Sequence, residues 1–278
     1  MISPAISDIA VHLTGSTEDA VRIANAAAIA GLTGGGLTGL HTHILPGLLE
    51  MTDPSGSAFL QKLISDSVDG ALKVTARLRD ELAATGIPGT VRRVDLYPDE
   101  VGTALAREAR GSDLFLGTLP YGDMAGGEWI EESVLFDSGR PCCFIPPRYE
   151  RKLALANILI AWNGSAEAAR AVGSALPLLE RAEHIIAATI IEPGNHTATD
   201  EPLASLDRFL ANHRLTAEPR IVTSRGDVGD ALIGEIQASD ADLIVMGGYG
   251  HSRFREWVLG GATRLLLGQS PIPVFTSH

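Results

Sequence analysis

Closely spaced glycines follow a hydrophobic segment near the carboxyl end of this sequence. Residues 241–245 have the composition of a buried parallel strand, and glycine occupies three of the four positions 247–250. Glycine has no Cβ, so backbone N–H groups can approach a ligand there. A glycine pair at 260–261 precedes a helical pattern at 262–268, and a helix N-terminus attracts anions because its first N–H groups are unpaired. The spacing predicts a site for a phosphate-bearing ligand.

Basic side chains cluster around these glycines. His251, Arg253 and Arg255 lie between the two glycine groups, and Arg264 lies shortly after them, although the whole chain has a formal net charge of −12. One interpretation is that they neutralise phosphate groups. The other is that they form a solvated polar loop with salt bridges between domains. The sequence leaves both interpretations open.

The negative net charge of the chain limits the kinds of partner that it can bind. Nonspecific binding of nucleic acid or of an anionic membrane requires a basic face, so we predict neither kind of partner. No segment approaches the roughly 18 consecutive apolar residues of a membrane span. Residues 1–10 lack the basic start and apolar core of a signal peptide. We therefore expect a cytoplasmic protein.

Three side-chain groups have a functional and a structural interpretation. The adjacent Cys142 and Cys143 are expected to be small buried strand residues rather than a redox pair. His41 and His43 share one face of a predicted strand, but they lack nearby carboxylate or cysteine companions, so we expect no metal site. Ser165 is expected to be a helix N-cap rather than a nucleophile.

The chain is an internally repeated sequence. Four pairs of segments match: 9–16 with 158–165, 99–105 with 227–232, 112–117 with 241–247, and 140–145 with 272–276. The first half is longer by about 20 residues, which we place within 57–86. Two prolines at 146–147 and a charged segment after them mark the boundary. The sequence therefore predicts two domains, 1–147 and 152–278.

Strand and helix patterns alternate through the second half, which is typical of βαβ units around a parallel sheet. Such sheets bind ligands at the carboxyl ends of their strands. The predicted strands are 157–162, 184–191, 218–223, 242–247 and 272–276, and the predicted helices are 165–181, 201–214, 228–239 and 262–269.

These residues resemble the universal stress protein family in its tandem two-domain form. The nucleotide motif of that family is Gly, two residues, Gly, nine residues, Gly, then Ser or Thr, and Gly247, Gly250 and Gly260 keep this spacing. The resemblance implies an α/β fold of two flavodoxin-like (Rossmann-like) domains, each with a five-stranded parallel sheet of order 3-2-1-4-5. It also implies binding of ATP or a related adenine nucleotide by the second domain. The residues that it assigns to the nucleotide are Ala161, Trp162, Asn163, Ile191, Met246, Gly247, Gly250, His251, Arg253, Gly260, Gly261, Ala262 and Thr263.

The sequence departs from the family motif at several positions. Gly261 replaces Ser or Thr, which removes a hydroxyl donor worth about 0.5–1.5 kcal/mol. Asn163 stands where nucleotide binders commonly have Asp. In the first half, Thr14 takes that Asp position, the glycine spacing is broken at 117–122, and Asp-Ser-Gly at 137–139 replaces the Gly-Ser ending. We expect the first half to be a structural partner without a site.

The resemblance implies a cytoplasmic stress-response regulator that binds ATP, ADP or AMP in the second domain. No general base or set of metal-binding carboxylates is evident, so any catalysis would be slow ATP hydrolysis at most. A nucleotide-free interaction scaffold is the alternative that Gly261 and Asn163 favour. A flavin or nicotinamide oxidoreductase is disfavoured, because the G-x-G-x-x-G match at 34–39 follows a helix instead of a strand. The protein partners are not indicated, and both a monomer with an internal pseudo-dimer and a homodimer fit the repeat.

Overall fold

The computed structural model describes residues 6–46, 54–120, 130–191, 201–224, 226–248 and 261–278, within which ten strands form one continuous sheet. The strands are β1 Asp8–Leu13, β2 Gly36–Ile44, β3 Gly89–Leu96, β4 Leu114–Thr118, β5 Cys142–Ile145, β6 Asn157–Ala161, β7 His184–Ile191, β8 Glu218–Thr223, β9 Leu243–Gly247 and β10 Val274–Ser277. The helices are α1 Asp19–Thr33, α2 Pro54–Ala83, α3 Val101–Ala109, α4 Ile130–Asp137, α5 Ala166–Leu179, α6 Glu201–Asn212, α7 Val228–Ala238 and α8 Gly261–Gln269.

The strand order confirms the predicted fold class. It is β3-β2-β1-β4-β5-β10-β9-β6-β7-β8, so each half is a parallel five-stranded sheet of order 3-2-1-4-5. The halves join through β5 and β10, which pair antiparallel with Phe144 opposite Val274 and Cys143 opposite Phe275. The last strands of the two halves therefore meet. The strands of the first half run opposite to those of the second half. The carboxyl ends of the two sets of strands therefore lie at opposite edges of the sheet, where an edge is the side at which the strands end.

Residues at matched positions of the sequence repeat have the same structural role in both halves. Gly15 and Gly164 follow the first strand of each half with φ of +81° and +73°, a conformation that favours glycine. Asp113 accepts a hydrogen bond from the backbone N–H of Ser7 at 2.8 Å, before β1. Asp242 accepts one from the N–H of Ala156 at 2.8 Å, before β6. These aspartates tie the fourth strand of each half to the first.

The strands that join the two halves contribute completely buried side chains to the core. Phe144 and Phe275 are completely buried, and Phe144 packs edge-on against Phe115 with ring centroids 6.5 Å apart. Cys142 and Cys143 are also completely buried, and this burial raises the pKa of the Cys143 thiol to about 12. A thiolate is strongly disfavoured there, which fits the prediction of small buried strand residues.

Helix α2 contains most of the extra length of the first half. It has 30 residues, whereas its counterpart α6 has 12, and it covers most of the predicted segment 57–86. Within the described residues, no helix is both long enough and apolar enough to cross a membrane.

Two local predictions have different outcomes. The glycine run at 34–39 does connect a helix to a strand: Gly34 has φ of +77°, and its N–H donates to the carbonyl of Ala30 at the end of α1. The comparison of 137–139 with the Gly-Ser ending of the motif is wrong. Residues 137–139 lie at the carboxyl end of α4, whereas Gly261 of the motif begins α8. Short polar residues and glycines are common at the N-termini and at the C-termini of helices. Residue type alone therefore did not show that 137–139 lie at the end of a helix rather than at the start of one.

Candidate functional site

The carboxyl ends of β6 and β9 form the centre of the candidate site. Ala161, the last residue of β6, lies opposite Met246 on β9 and opposite Ala188 on β7. Strand β7 continues past this point to Ile191. The topology therefore brings Ala161, Ile191 and Met246, three residues of the predicted site, to one edge of the sheet.

Trp162 belongs to the core at this edge. Its side chain is 8% exposed, and its backbone N–H donates to the carbonyl of Ala188 at 2.8 Å. The hydroxyl of Thr189 donates to the carbonyl of Trp162 at 3.0 Å. These contacts hold the backbone after β6 against β7. The burial of Trp162 leaves little of its surface exposed for stacking on a base.

The turn after β6 is shaped by its own side chains. The Asn163 side-chain oxygen accepts from the N–H of Ser165 at 3.0 Å, and Gly164 between them has positive φ. The Ser165 hydroxyl oxygen accepts from the N–H of Ala168 at 3.1 Å at the start of α5. Ser165 is therefore the helix N-cap that the sequence predicted.

Packing requires glycine at positions 247 and 248. A Cβ on Gly247 would lie 2.5 Å from the backbone nitrogen of Ala168, so the start of α5 packs directly on the end of β9. A Cβ on Gly248 would lie 2.8 Å from the Thr276 hydroxyl oxygen on β10. The sequence predicted that a ligand approaches the backbone at these glycines, whereas the contacts seen in the structure come from α5 and β10.

Two glycine-to-alanine substitutions should have opposite effects on stability. Gly247→Ala should lower the free energy of unfolding by about 1–3 kcal/mol, because backbone atoms of α5 occupy the space for the new methyl group. Gly173→Ala is the matched control: it lies inside α5 with nothing within 4 Å of an added Cβ, and should raise that free energy by about 0.5–1 kcal/mol. Urea denaturation measures both, and equal effects would contradict this description of the β9 end.

Helix α8 provides a positive helix end for the site. It starts at Gly261, its first turn carries no acidic residue, and Thr263 in that turn is 6% exposed. Ala262 is half-buried and Arg264 is exposed. The first N–H groups of a helix have no partner within the helix, so this end suits an anion. Gly250, His251, Arg253 and Gly260 lie outside the described residues.

The equivalent edge of the first half is filled by a buried ion pair. Arg22 is 3% exposed. Its Nη2 donates to Asp19 Oδ1 at 2.5 Å and to Thr14 Oγ1 at 2.9 Å. Its Nη1 donates to Thr118 Oγ1 at 2.9 Å. Asp19 is completely buried and also accepts from the N–H groups of Thr14 and Gly15, at 3.0 and 2.7 Å. The guanidinium thus bridges the ends of β1 and β4, the two strands that correspond to β6 and β9.

The second half has alanines in place of this ion pair. The repeat aligns α1 with α5, so Ala168 and Ala171 take the positions of Asp19 and Arg22. Both alanines are buried. No charged side chain from these positions reaches across the ends of β6 and β9.

The first turn of the helix before the last strand also differs between the halves. In α4 it carries Glu131 and Glu132, whereas that of α8 carries no acid. Burial raises the pKa of Glu131 to about 7, and the charge of Arg22 acts against this increase. Carboxyl groups occupy the helix end that would attract a phosphate in a functional copy of the site. Glu131 and Glu132 therefore make this helix end less favourable for an anion than that of α8.

The described residues contain no group of three or more His, Cys, Asp and Glu side chains arranged to hold a metal ion. His41 and His43 do lie on one face of β2. The expectation that no carboxylate lies near them is wrong for His43, because strand pairing places Asp95 Oδ1 2.8 Å from its Nδ1. Each histidine also meets a hydroxyl of α2. His41 Nδ1 is 2.9 Å from Thr75 Oγ1, and His43 Nε2 is 2.8 Å from Ser67 Oγ.

Comparison with protein families gives a match to the model described as the universal stress protein family, over residues 155–278. A curated universal stress protein from Synechocystis is 26% identical over 149 residues, which are 52% of this chain and 49% of that protein. The chain therefore spans about half the length of this curated relative.

Solved structures show the same fold along nearly the whole chain. A universal stress protein from Archaeoglobus fulgidus superposes with a TM-score of 0.74 at 17% identity, covering 96% of this chain and 97% of that one. A functionally unknown protein from Pseudomonas aeruginosa superposes with a TM-score of 0.63 at 16% identity, covering 98% of this chain and 92% of that one. At these identities the likeness concerns the fold alone.

Proposed function

We propose that this chain, whose residues 155–278 match the model of the universal stress protein family, is a cytoplasmic stress-response regulator that binds one adenine nucleotide, ATP, ADP or AMP. The site lies in the second of two domains, 1–147 and 152–278. Adenosine contacts the ends of β6 and β7, and the phosphates contact the N-terminus of α8 and the glycines after β9.

The difference between the two sheet edges is the observation that carries this proposal. In the first half, the Arg22 guanidinium occupies the space between the ends of β1 and β4, with hydrogen bonds to three side chains at 2.5–2.9 Å. In the second half, small alanines occupy the corresponding helix positions. A ligand can reach the second edge without breaking a buried ion pair, which is costly.

The charge at the two helix ends supports the same assignment. A phosphate at α4 would face Glu131 and Glu132, whereas one at α8 would meet a first turn without acidic side chains. Like charges repel and the helix dipole attracts anions at its N-terminus, so the second half is the favourable one. A single nucleotide per chain follows.

Two features favour a nucleotide-free interaction scaffold as the second candidate. The side-chain oxygen of Asn163 is already engaged by the N–H of Ser165 at 3.0 Å, so it serves the turn rather than a ribose. Gly261 also provides no hydroxyl at the start of α8. Both features lower the affinity that the proposed site can reach.

Isothermal titration calorimetry of the full chain with ATP, ADP and AMP tests the proposal. We expect one site per chain, and Gly261→Ser should tighten it by roughly 2- to 12-fold, which corresponds to one neutral hydrogen bond of about 0.5–1.5 kcal/mol. Gly268→Ser is the matched control: it lies in the same helix, with nothing within 4 Å of an added Cβ, and should leave the affinity unchanged.

Two outcomes would contradict the proposed site. Two equivalent sites per chain would show that the first half also binds nucleotide. Absence of binding both in the parent and in Gly261→Ser would replace the nucleotide proposal by the scaffold.

A further inference from the structure

Three side chains from different elements of the first half form a hydrogen-bonded chain. His43 on β2 has its Nδ1 atom 2.8 Å from Asp95 Oδ1 on β3 and its Nε2 atom 2.8 Å from Ser67 Oγ on α2. His43 and Asp95 are direct partners in the pairing of β2 with β3. The sheet register therefore places the imidazole and the carboxylate together, and α2 brings the hydroxyl to the other ring nitrogen.

The direction of each hydrogen bond in this chain follows from Asp95. Arg93 contacts its carboxylate twice, from Nε to Oδ1 at 2.9 Å and from Nη2 to Oδ2 at 3.0 Å. A carboxylate only accepts hydrogen bonds, so His43 Nδ1 must donate to it. In the neutral ring, Nε2 then carries the lone pair and accepts from the Ser67 hydroxyl. This is the hydrogen bond through which a base withdraws the proton of a nucleophilic hydroxyl.

Two other histidine–hydroxyl contacts in the same half lack these features. The Thr75 hydroxyl, which meets His41, donates to the carbonyl of Ala71 at 2.7 Å, so His41 must donate to it. His12 Nε2 lies 3.0 Å from Thr42 Oγ1, but His12 is 5% exposed, and burial lowers its pKa to about 3. Ser67 thus faces a histidine that a carboxylate orients as an acceptor.

A small molecule can reach the three side chains from solvent. The side chains of His43 and Asp95 are 11% and 33% exposed, and Ser67 is partly exposed. Arg93 Nη1 donates to the carbonyl of Val68, the residue after Ser67, at 3.3 Å. Arg93 therefore ties Asp95 to the backbone of α2 next to the serine.

We propose that Ser67 is a nucleophile that accepts acyl groups from small activated esters, with His43 as its base and Asp95 as the positioning residue. Ser67 Oγ bonds to the carbonyl carbon while its proton passes to His43 Nε2. The bond from that carbon to the leaving oxygen breaks, and the leaving alcohol takes the proton from His43. Water then attacks the acyl-serine, again through His43, releasing the acid and restoring the hydroxyl.

This reaction is independent of the proposed nucleotide site. Ser67, His43 and Asp95 lie in the first half. The nucleotide is assigned to the second half, whose strands end at the opposite edge of the sheet. Either proposal can fail without the other.

Labelling of the full chain with a fluorophosphonate probe tests Ser67 directly. Attack by Ser67 Oγ on phosphorus displaces fluoride, and peptide mass spectrometry locates the adduct. We expect the adduct on Ser67 in the parent, its loss in Ser67→Ala, and labelling slower by about 10²- to 10⁴-fold in His43→Gln. Ser65→Ala is the matched control, since Ser65 is exposed on the same helix, and its labelling should equal that of the parent.

Hydrolysis of p-nitrophenyl acetate provides the second readout. The parent should release p-nitrophenolate above the background rate, and Ser67→Ala should lose this release while keeping the parent melting temperature. Absence of a Ser67 adduct in the folded parent, or equal labelling in His43→Gln, would overturn the proposal.

The role of Asp95 has a spectroscopic signature. Nitrogen NMR of the imidazole should show His43 protonated at Nδ1 in the parent. In Asp95→Asn the side-chain amide can donate to Nδ1, which would place the ring proton on Nε2 and prevent acceptance from Ser67. We expect this tautomer change together with slower labelling. Slower labelling with the tautomer unchanged would refute positioning by Asp95.

Discussion

Replacing Arg22 by methionine should lower the free energy of unfolding by about 3–5 kcal/mol, because it leaves a buried carboxylate without its counter-charge. The side chains of Arg22 and Asp19 are 4% and 0% exposed in their salt bridge. Methionine retains much of the arginine's apolar length, so the loss would come mainly from the charge and its hydrogen bonds to Thr14 and Thr118. Urea denaturation of parent and variant measures the difference.

A second substitution separates the charge effect from a packing effect. Adding Asp19→Asn to Arg22→Met removes the unpaired charge. The N–H groups of Thr14 and Gly15 donate to different carboxylate oxygens, so the single amide oxygen can keep one of these two hydrogen bonds. The double variant should be more stable than Arg22→Met alone, because removing a whole buried pair costs less than breaking it. If it is less stable, the ion pair is not the source of the effect.

An exposed pair with the same spacing provides the control for Arg22→Met. Arg170 and Glu167 also lie three residues apart on a helix, 2.8 Å from atom to atom, but their side chains are 47% and 16% exposed. Arg170→Met should change the free energy of unfolding by no more than about 1 kcal/mol, since solvent screens such pairs.

Phe275→Ala should lower the free energy of unfolding by about 3–5 kcal/mol through the cavity it leaves. Phe275 is completely buried on β10, where it lies opposite Cys143 of β5. The cavity lies at the junction of the two halves, so we expect both halves to lose stability together. Urea denaturation followed by far-ultraviolet circular dichroism measures this change.

Phe59→Ala is the control for the loss of an aromatic ring. Phe59 lies on α2 and is 61% exposed, so its replacement should change stability by no more than about 0.5 kcal/mol. A small effect of Phe275→Ala, comparable to that of Phe59→Ala, would show that the β5–β10 junction is not a core of the molecule.

Local patterns were sufficient to predict the elements of the second half. Strands β7 and β8 have the predicted bounds, 184–191 and 218–223. The last strand was predicted at 272–276, but the structure places it at Val274–Ser277. Pro273 has no backbone N–H to donate, and its carbonyl accepts from Ile244 at 3.1 Å, so it stands at the strand entrance.

The ion pair that fills the space between the ends of β1 and β4 could not be predicted with the same success. The sequence predicted that this half lacks a site from missing motif residues, but Asp19 and Arg22 look like ordinary polar residues of an amphipathic helix. Their role depends on the ends of β1 and β4 lying side by side, although Thr14 and Thr118 are far apart in sequence. Periodicity describes one element at a time, so it does not show which side chain fills the space between two strands.

Residues close together in the chain thus determined the strands, the helices, the repeat and the glycine spacing. These depend on periodic burial, turn chemistry and backbone freedom, which act over a few residues. Tertiary structure decided that Arg22 fills one sheet edge, that Gly247 must accommodate α5, and that Ser67 meets His43 and Asp95. Each of these depends on distances between elements, which strand register and helix packing set only when the sheet has formed.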